Sequence, residues 1–486
     1  MISAAIQNAL SGLTANSRQL STTSDNIANS LTEGYAARRV QLSQRAPTGG
    51  VEVLRVERPM DPELTGLRRV ADGDAAEAQA LATGLGRLAA AFGELGDAGN
   101  GLFDLQSDFQ AALRTLADAP EEPTRQFEAA QAASDLAAKF NTISETVGTL
   151  RGDADTEIAQ LVDGINRASA EIVTLNRNIV RAEATGRDTA ALIDRRESLI
   201  DEIAVALPVR TFPREDGSVE VRTAEGLLLV GQVARRIEFS PTPVIGPSQA
   251  YDNGTGALSG ITLGGVDLTP GGPAAQAAGS GALAGLFALR DSELPGFEAQ
   301  LDGLAAELAT RLADPAVDPT LTAGDPGLFT DAGAALAATP APGLAGRLSL
   351  NTAVDPAAGG NPALLRDGLG ATAPGPVSDD TILRNILEAL ARASPAPGVP
   401  GLETPLSQMD RTAALGERVS ESRVGAEALL GAAEGARVAI ADDEAAKLAV
   451  DRDAELQALI AIEQAYAANA QVIRTAEAML DELRRF

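Results

Sequence analysis

The two ends of this chain carry matched helical seams, and that constrains its fold more than any other feature. Near the start, Ile6, Leu10, Leu13, Leu20, Ile27 and Leu31 fall on a 4-3 spacing, with Ser17 and Ser24 at the gaps. Near the end, Leu459, Ile462, Tyr466, Ile473, Ala476, Leu480 and Leu483 repeat the pattern, with Asn469 in the seam. Such spacing winds one apolar stripe along a helix and demands a partner helix. Chain ends are ordinarily frayed and polar. A chain whose ends carry its strongest seams docks those ends, on each other or on neighbouring copies.

Between the ends the pattern is nested. A helix is expected over 3–31, stopping near Asn29–Gly34 because Gly34 suits the left-handed conformation that ends helices. Val40, Leu42, Val51, Val53 and Val56 alternate around Pro47-Thr48-Gly49-Gly50 and predict a short hairpin. From Asp61 to Leu207 the reading is helical, with stripes such as Leu81, Leu85, Leu88, Phe92 and Leu95. The cleanest stripe runs Ile158, Leu161, Ile165, Ala168, Ile172, Leu175, Ile179 and Ala182, and predicts a helix over 153–185. Asp153 and Asp155 would favour its N-terminus through the helix dipole.

Texture changes at Pro208, where short β-type runs begin: 209–212, 219–221, 227–230 and 237–239, then 261–263. Helix returns at 283–312. Residues 314–376 are rich in Pro, Gly and Ala, with Leu348 and Leu350 as one more strand. A helix at 379–393 and a linker precede a helical tail from Ser407, with a break expected near Gly431–Gly435. The fold expected is mainly α with a β insertion: terminal helices paired in coiled-coil fashion, an elongated helical bundle and a smaller β-rich outer domain. Terminal helices occupy 1–35 and 450–486, the bundle 36–207 and 377–449, and the outer domain 208–376. A length of 486 residues accommodates this division.

Chemistry is scarce. The chain has no Cys and no His, which excludes disulfides, thiolate zinc sites and Cys/His nucleophile systems. A net charge of -28 opposes binding to duplex nucleic acid or an anionic membrane surface. No Sec-type signal and no apolar run long enough to span a bilayer is visible. Gly279-Ser280-Gly281-Ala282-Leu283-Ala284-Gly285 has the wrong spacing for a dinucleotide loop and reads as a flexible linker entering a helix. Asp153 and Asp155 begin like a calcium loop, but Ile158 stands where the glycine is required. Paired carboxylates for glycoside cleavage have no specific candidate. No catalytic residue, cofactor or metal is expected.

One local motif stands out at each end. Asn8-Ala9-Leu10-Ser11-Gly12-Leu13, Asp25-Asn26-Ile27-Ala28-Asn29, and then Thr32, Gly34 and Tyr35 resemble the N-terminal signature of bacterial flagellar rod, hook and hook-associated proteins. Tyr466-Ala467-Ala468-Asn469-Ala470 through Met479-Leu480-Asp481 resembles their shared C-terminal helix. The interior, from Leu192-Ile193-Asp194-Arg195-Arg196-Glu197-Ser198-Leu199-Ile200 to Arg290-Asp291 and Leu348-Ser349-Leu350-Asn351, is similar to the first hook-associated family, which joins hook to filament. About 140 residues of helix after the N-terminal motif favour that family over rod and hook proteins, which turn to β structure sooner. The resemblance is weakest at about 240–280 and 310–345.

The resemblance implies a structural protein made in the cytoplasm, passed through the flagellar type III export channel and placed extracellularly as a ring on the hook. Its partners would be copies of itself, the hook protein, the second junction protein and filament, and an export chaperone on the C-terminal helix. It implies terminal helices that fold on assembly. The assembly interface expected comprises Ile6, Leu10, Leu13, Leu20, Ile27, Asn29, Thr32, Gly34, Tyr35, Leu459, Ile462, Tyr466, Asn469, Ile473, Leu480 and Leu483. Ser17, Ser24 and Asn469 would set register, as polar seam residues do. Asp or Leu at Asn469 is then expected to alter assembly while the core of the monomer stays folded, which assembly and unfolding assays read separately. A distal rod or hook protein, the filament-side junction protein, and a wall-cleaving enzyme on an axial scaffold are the other readings.

Overall fold

The computed structural model describes residues 2–32, 35–45, 49–59, 61–93, 99–252, 256–274, 276–396 and 398–484. The order begins with helix α1 (Ile2–Asn29) and the antiparallel hairpin β1 (Arg39–Gln44) and β2 (Val51–Glu57). The helices α2 (Pro62–Phe92), α3 (Leu102–Asp118), α4 (Pro123–Ala184) and α5 (Ala190–Ala206) follow. The strands β3 (Val209–Pro213), β4 (Val219–Thr223) and β5 (Leu228–Val230) form one antiparallel sheet. The two-residue strands β6 (Ile237–Glu238), β7 (Thr262–Leu263) and β8 (Val266–Asp267) form another. Helices α6 (Ala282–Ala288) and α7 (Leu294–Leu312) are joined by a π turn, then β9 (Phe329–Asp331) pairs with β10 (Leu348–Leu350). Helices α8 (Leu364–Asp367), α9 (Thr381–Ala391), α10 (Gln408–Leu448) and α11 (Arg452–Arg484) complete the chain. The fold is mainly helical, and both outer helices and their inner neighbours pair, α1 with α11 and α2 with α10.

Helix starts follow local chemistry. The Asp61 side chain accepts from the Leu64 N–H at 3.1 Å ahead of Pro62, and Ser407 accepts from the Asp410 N–H at 3.1 Å. The spine is α4, 62 residues long and about 90 Å at 1.5 Å per residue. Its expected start at 153 is corrected: the helix begins at Pro123, and Gly148 and Gly152 do not interrupt it. The apolar stripe explains this, because Phe140, Ile143, Val147, Leu150 and Ile158 bury one continuous face. Asp153 and Asp155 therefore sit mid-helix and have no helix-capping role. The break expected near Gly431–Gly435 is also corrected: α10 runs through both glycines and ends at Leu448. Strands β8 and β9 lie outside the runs read from sequence.

Helical asparagines fasten the β segments to the spine. The Asn176 amide donates to the Val219 carbonyl at 2.9 Å and accepts from its N–H at 3.2 Å. Asn166 does the same for Ile237, at 2.9 and 2.8 Å. Asn141 donates to the carbonyls of Ala345 and Leu348. Each amide stands in for a missing neighbour strand, so very short strands keep their backbone groups paired.

The glycine motif at 279–285 is no flexible linker. Gly281 has φ +95°, and a Cβ there would fall 2.7 Å from the Ala206 carbonyl oxygen. A Cβ at Gly285 would fall 2.5 Å from the Glu77 carbonyl oxygen. These glycines let α6 lie directly on α5 and α2. The π turn beyond them carries Arg290 into the core beside Asp155.

One buried acid makes stability depend on pH. Burial pushes the Glu298 carboxyl up to about 7, against the opposing Ser144 hydroxyl bond. A folded pKa above the ordinary 4.5 means the folded state holds a proton that the unfolded chain has released. The resulting stability is full below about pH 4.5 and is lost as pH rises to about 7. Glu298→Gln is expected to flatten this fall and to exceed the parent by about 3 kcal/mol above pH 7. Urea unfolding at pH 5 and pH 8 checks it; equal midpoints at pH 8 would contradict it.

Candidate assembly interface

The contiguous apolar core runs from Ala82 to Ala426 and includes no described residue of α1 or α11. The two end helices pack on each other and on the hairpin instead. They run antiparallel. Asn26 donates to Glu455 Oε1 at 2.7 Å, and Arg452 donates to the Ser30 hydroxyl at 2.6 Å. Farther along, Asn469 lies against Gly12, where a Cβ would fall 2.7 Å from the amide nitrogen. A side chain at residue 12 would thus push Asn469 aside.

Part of the seam expected on α11 is covered in this chain. Leu459, Ile462, Asn469 and Ile473 are partly covered, and Ala476 is buried. Tyr466, Leu480 and Leu483 on the same helix are exposed, Leu483 by 63%. On α1 the arrangement differs from the expectation. The face turned inward is small and polar, with Ala9, Ala15, Asn16, Thr22, Thr23 and Asn26 buried. The apolar stripe lies to one side: Ile6, Leu13, Leu20 and Ile27 are partly covered, while Leu10 is 58% exposed. Leu31, Ser17 and Ser24 are exposed as well. A two-helix pair has only one covered flank per helix, so apolar residues remain in water on the others.

The motif after α1 folds into a polar knot. Asn26 is 1% exposed. Its Nδ2 donates to the Arg38 carbonyl at 2.9 Å as well as to Glu455, and its Oδ1 accepts from the Tyr35 hydroxyl at 2.9 Å and the Arg38 N–H at 3.0 Å. Asn29 turns back to donate to the Asp25 carbonyl at 2.8 Å, and Thr32 donates to the Asn29 side chain. Burial raises the Tyr35 hydroxyl pKa against the lowering effect of Arg38, whose guanidinium lies 4.8 Å from the ring centre. Gly34 lies outside the described residues. The interface expected from sequence contains Asn29, Thr32 and Tyr35 but lacks Asn26, on which three segments converge. Asn26 is visible within Asp25-Asn26-Ile27-Ala28-Asn29, but periodicity does not mark its three partner residues, Tyr35, Arg38 and Glu455, the last of them 429 positions away.

A band of ion pairs ties this knot to the helical body. Arg38 and Arg58 both reach Asp194, at 2.6 and 2.7 Å. In the same α5 segment, Glu197 and Asp201 hold Arg69 at 2.9 and 2.6 Å. Arg68 contacts Asp201 and Asp72, each at 2.8 Å, and Glu444 on α10. Burial lowers the Arg68 pKa, but the carboxylates of Asp201, Glu444 and Asp72 more than offset it and raise the group. Asp194, Glu197 and Asp201 of α5 thus join the flanks of the hairpin to α2. Among the described residues no cluster of three or more potential metal-ligating side chains occurs, and no helix is long and apolar enough to cross a membrane.

Known proteins have related sequences. Residues 85–315 match the flagellar hook-associated protein FlgK helical domain. Residues 6–35 match the flagella basal body rod protein family, and 448–485 the flagellar basal body rod FlgEFG protein C-terminal family. Flagellar hook-associated protein 1 of Escherichia coli (strain K12) is 27% identical over 368 residues, covering 69% of this chain and 66% of the relative. The Bacillus subtilis (strain 168) protein of the same name is 26% identical over 281 residues, covering 53% of this chain and 55% of that one. The matches therefore span from about half to just under two thirds of these relatives. The flagellar hook junction protein FlgK from Burkholderia pseudomallei aligns in structure with a TM-score of 0.43 at 19% identity, over 55% of this chain and 46% of that one. With its helical domain and both terminal segments matched in chain order, the chain belongs to the flagellar hook-associated protein 1 family.

Proposed function

We propose that this chain is a structural, non-enzymatic component of the flagellum that joins hook to filament and is required for filament assembly. The observation that carries the proposal is the exclusion of α1 and α11 from the core while both retain exposed apolar side chains. Heterologous contacts between such patches build rings and helical arrays. Residues 1–35 and 450–486 form the inner assembly region, 36–207 and 377–449 the elongated helical bundle, and 208–376 the β-containing outer domain. The terminal pair is poorly able to hold itself folded in water and becomes ordered on assembly. Its neighbours are copies of itself, the hook protein, and the second junction protein with the filament beyond. Before export, the apolar flank of α11 suits the groove of a chaperone.

Gold-labelled antibody on isolated flagella tests the location. One labelled band at the hook–filament boundary is expected. Label along the filament, or below the hook, would contradict the proposal and favour a filament or rod role.

A further inference from the structure

We propose that the exposed face of the β1–β2 hairpin docks on the outer face of α11 in a second copy of this chain. The inference rests on the assembly role proposed above and names one of its contacts. The hairpin is basic in an acidic protein: residues 36–58 hold five arginines and two glutamates, on a chain of net charge -28. Arg38 and Arg58 turn inward to Asp194. Arg39, Arg45 and Arg55 are exposed, Arg55 with a solvent-exposed ion pair to Glu57 at 3.3 Å, and Leu42 and Leu54 are exposed as well. The sheet has only two strands, so one whole face and both outer edges have no strand neighbour. Exposed apolar side chains on such an element mark a contact surface.

The matching surface is on α11. Asp453, Leu456, Ile460 and Glu463 follow a 3-4-3 spacing, which places them on one side of the helix, and all four are exposed. That side points away from the seam of Leu459, Ile462 and Asn469 that faces α1. The order is acid, apolar, apolar, acid. On the hairpin's outer face Leu54 lies with Arg39 and Arg55, while Leu42, paired with Val53, lies on the other face. An apolar side chain flanked by arginines meets apolar side chains flanked by acids, so charge and apolar surface are complementary at once.

The two surfaces also lie at one level. The base of the hairpin is held at Asn26, which bonds Glu455. Its far end is held where the Val51 N–H donates to the Ser11 hydroxyl at 3.0 Å, beside Gly12 and hence Asn469. Hairpin and α11 therefore span the same stretch of α1. Within one copy both are held against α1 and both outer faces stay exposed, so the partner face belongs to a neighbour. A contact between two different patches at equal height is head-to-tail and repeats laterally, as a ring requires.

The chain lacks cysteine, which makes the test clean. Flagella are isolated from cells carrying Leu54→Cys with Ile460→Cys, oxidised, and run on a non-reducing gel. A ladder of dimers and higher multimers is expected, with monomer only for either single variant. Monomer only from the double variant, in flagella that contain it, would overturn the contact while leaving the junction role standing. If the protein is missing from isolated flagella even in the parent strain, the junction role fails. The same oxidation of concentrated purified protein then decides the contact, for or against. As a second readout, Arg55→Glu is expected to reduce filaments per cell and Glu463→Arg to restore them. Absence of rescue counts against the pairing.

Discussion

Arg290→Met is expected to cost about 3–5 kcal/mol of folding stability. The guanidinium is 0% exposed and its partner Asp155 is 1% exposed, with 2.6 Å between them. Arg290 also holds Asp291 at 2.8 Å and the Ser259 carbonyl at 3.0 Å, and lies over the Phe287 ring. Asp155 has one other partner here, the Thr242 N–H at 2.7 Å. Removing Arg290 strands a buried carboxylate midway along the spine, where a β segment and the π turn both anchor. Urea unfolding should show a lower midpoint with an unchanged slope. Adding Asp155→Leu removes the stranded charge and should recover much of the loss. A double variant as unstable as the single one would mean that shape, and not charge, sets the cost.

Asn26→Ala is expected to uncouple the terminal region from the body while leaving the bundle folded. Four hydrogen bonds meet at this side chain. Their loss orphans the Tyr35 hydroxyl, both backbone groups of Arg38 and the Glu455 carboxylate. Each orphaned group that stays buried costs about 1–3 kcal/mol. The core lies elsewhere, between Ala82 and Ala426, so global unfolding should shift little. Hydrogen exchange should accelerate through residues 20–40 and 452–460, and the variant should restore few filaments in a deletion strain. Unchanged exchange at Arg38, or full complementation, would contradict the account. Asn26→Asp keeps the acceptors but loses the donors and places a charge beside Glu455, so it should be no better.

Much of this architecture is written in periodicity. The seam from Leu459 to Ile473, the hairpin around residue 50, the stripe through α4 and the return to helix at 283 all follow from spacing of apolar residues. What periodicity cannot supply is how far a helix continues. Helix α4 begins 30 residues before the start expected at 153, and α10 continues through Gly431 and Gly435, where a break is expected, because packing carries both helices on. Nor does it mark polar residues whose partners are distant. Asn141, Asn166 and Asn176 look like solvated positions until strands arrive from elsewhere in the chain. Asp155 looked like a residue at a helix start because Arg290 is 135 positions away.

The interface shows the same limit. The spacing on α1 gives an apolar stripe, and in this chain that stripe lies to one side of the buried face. The side turned to the knot is small and polar, with Gly12 admitting Asn469 and Asn26 gathering the chain. Within the chain that polar side packs on its own hairpin and α11, and the apolar stripe is only partly covered. Sequence patterns weigh hydrophobic spacing and pass over this division of labour.

Deleting the gene and examining the cells by electron microscopy, with an assay for filament protein in the medium, tests the central claim most directly. The account predicts bare hooks and filament subunits lost to the medium. Cells without hooks would move the chain into the rod or hook, and normal filaments would contradict the junction role outright.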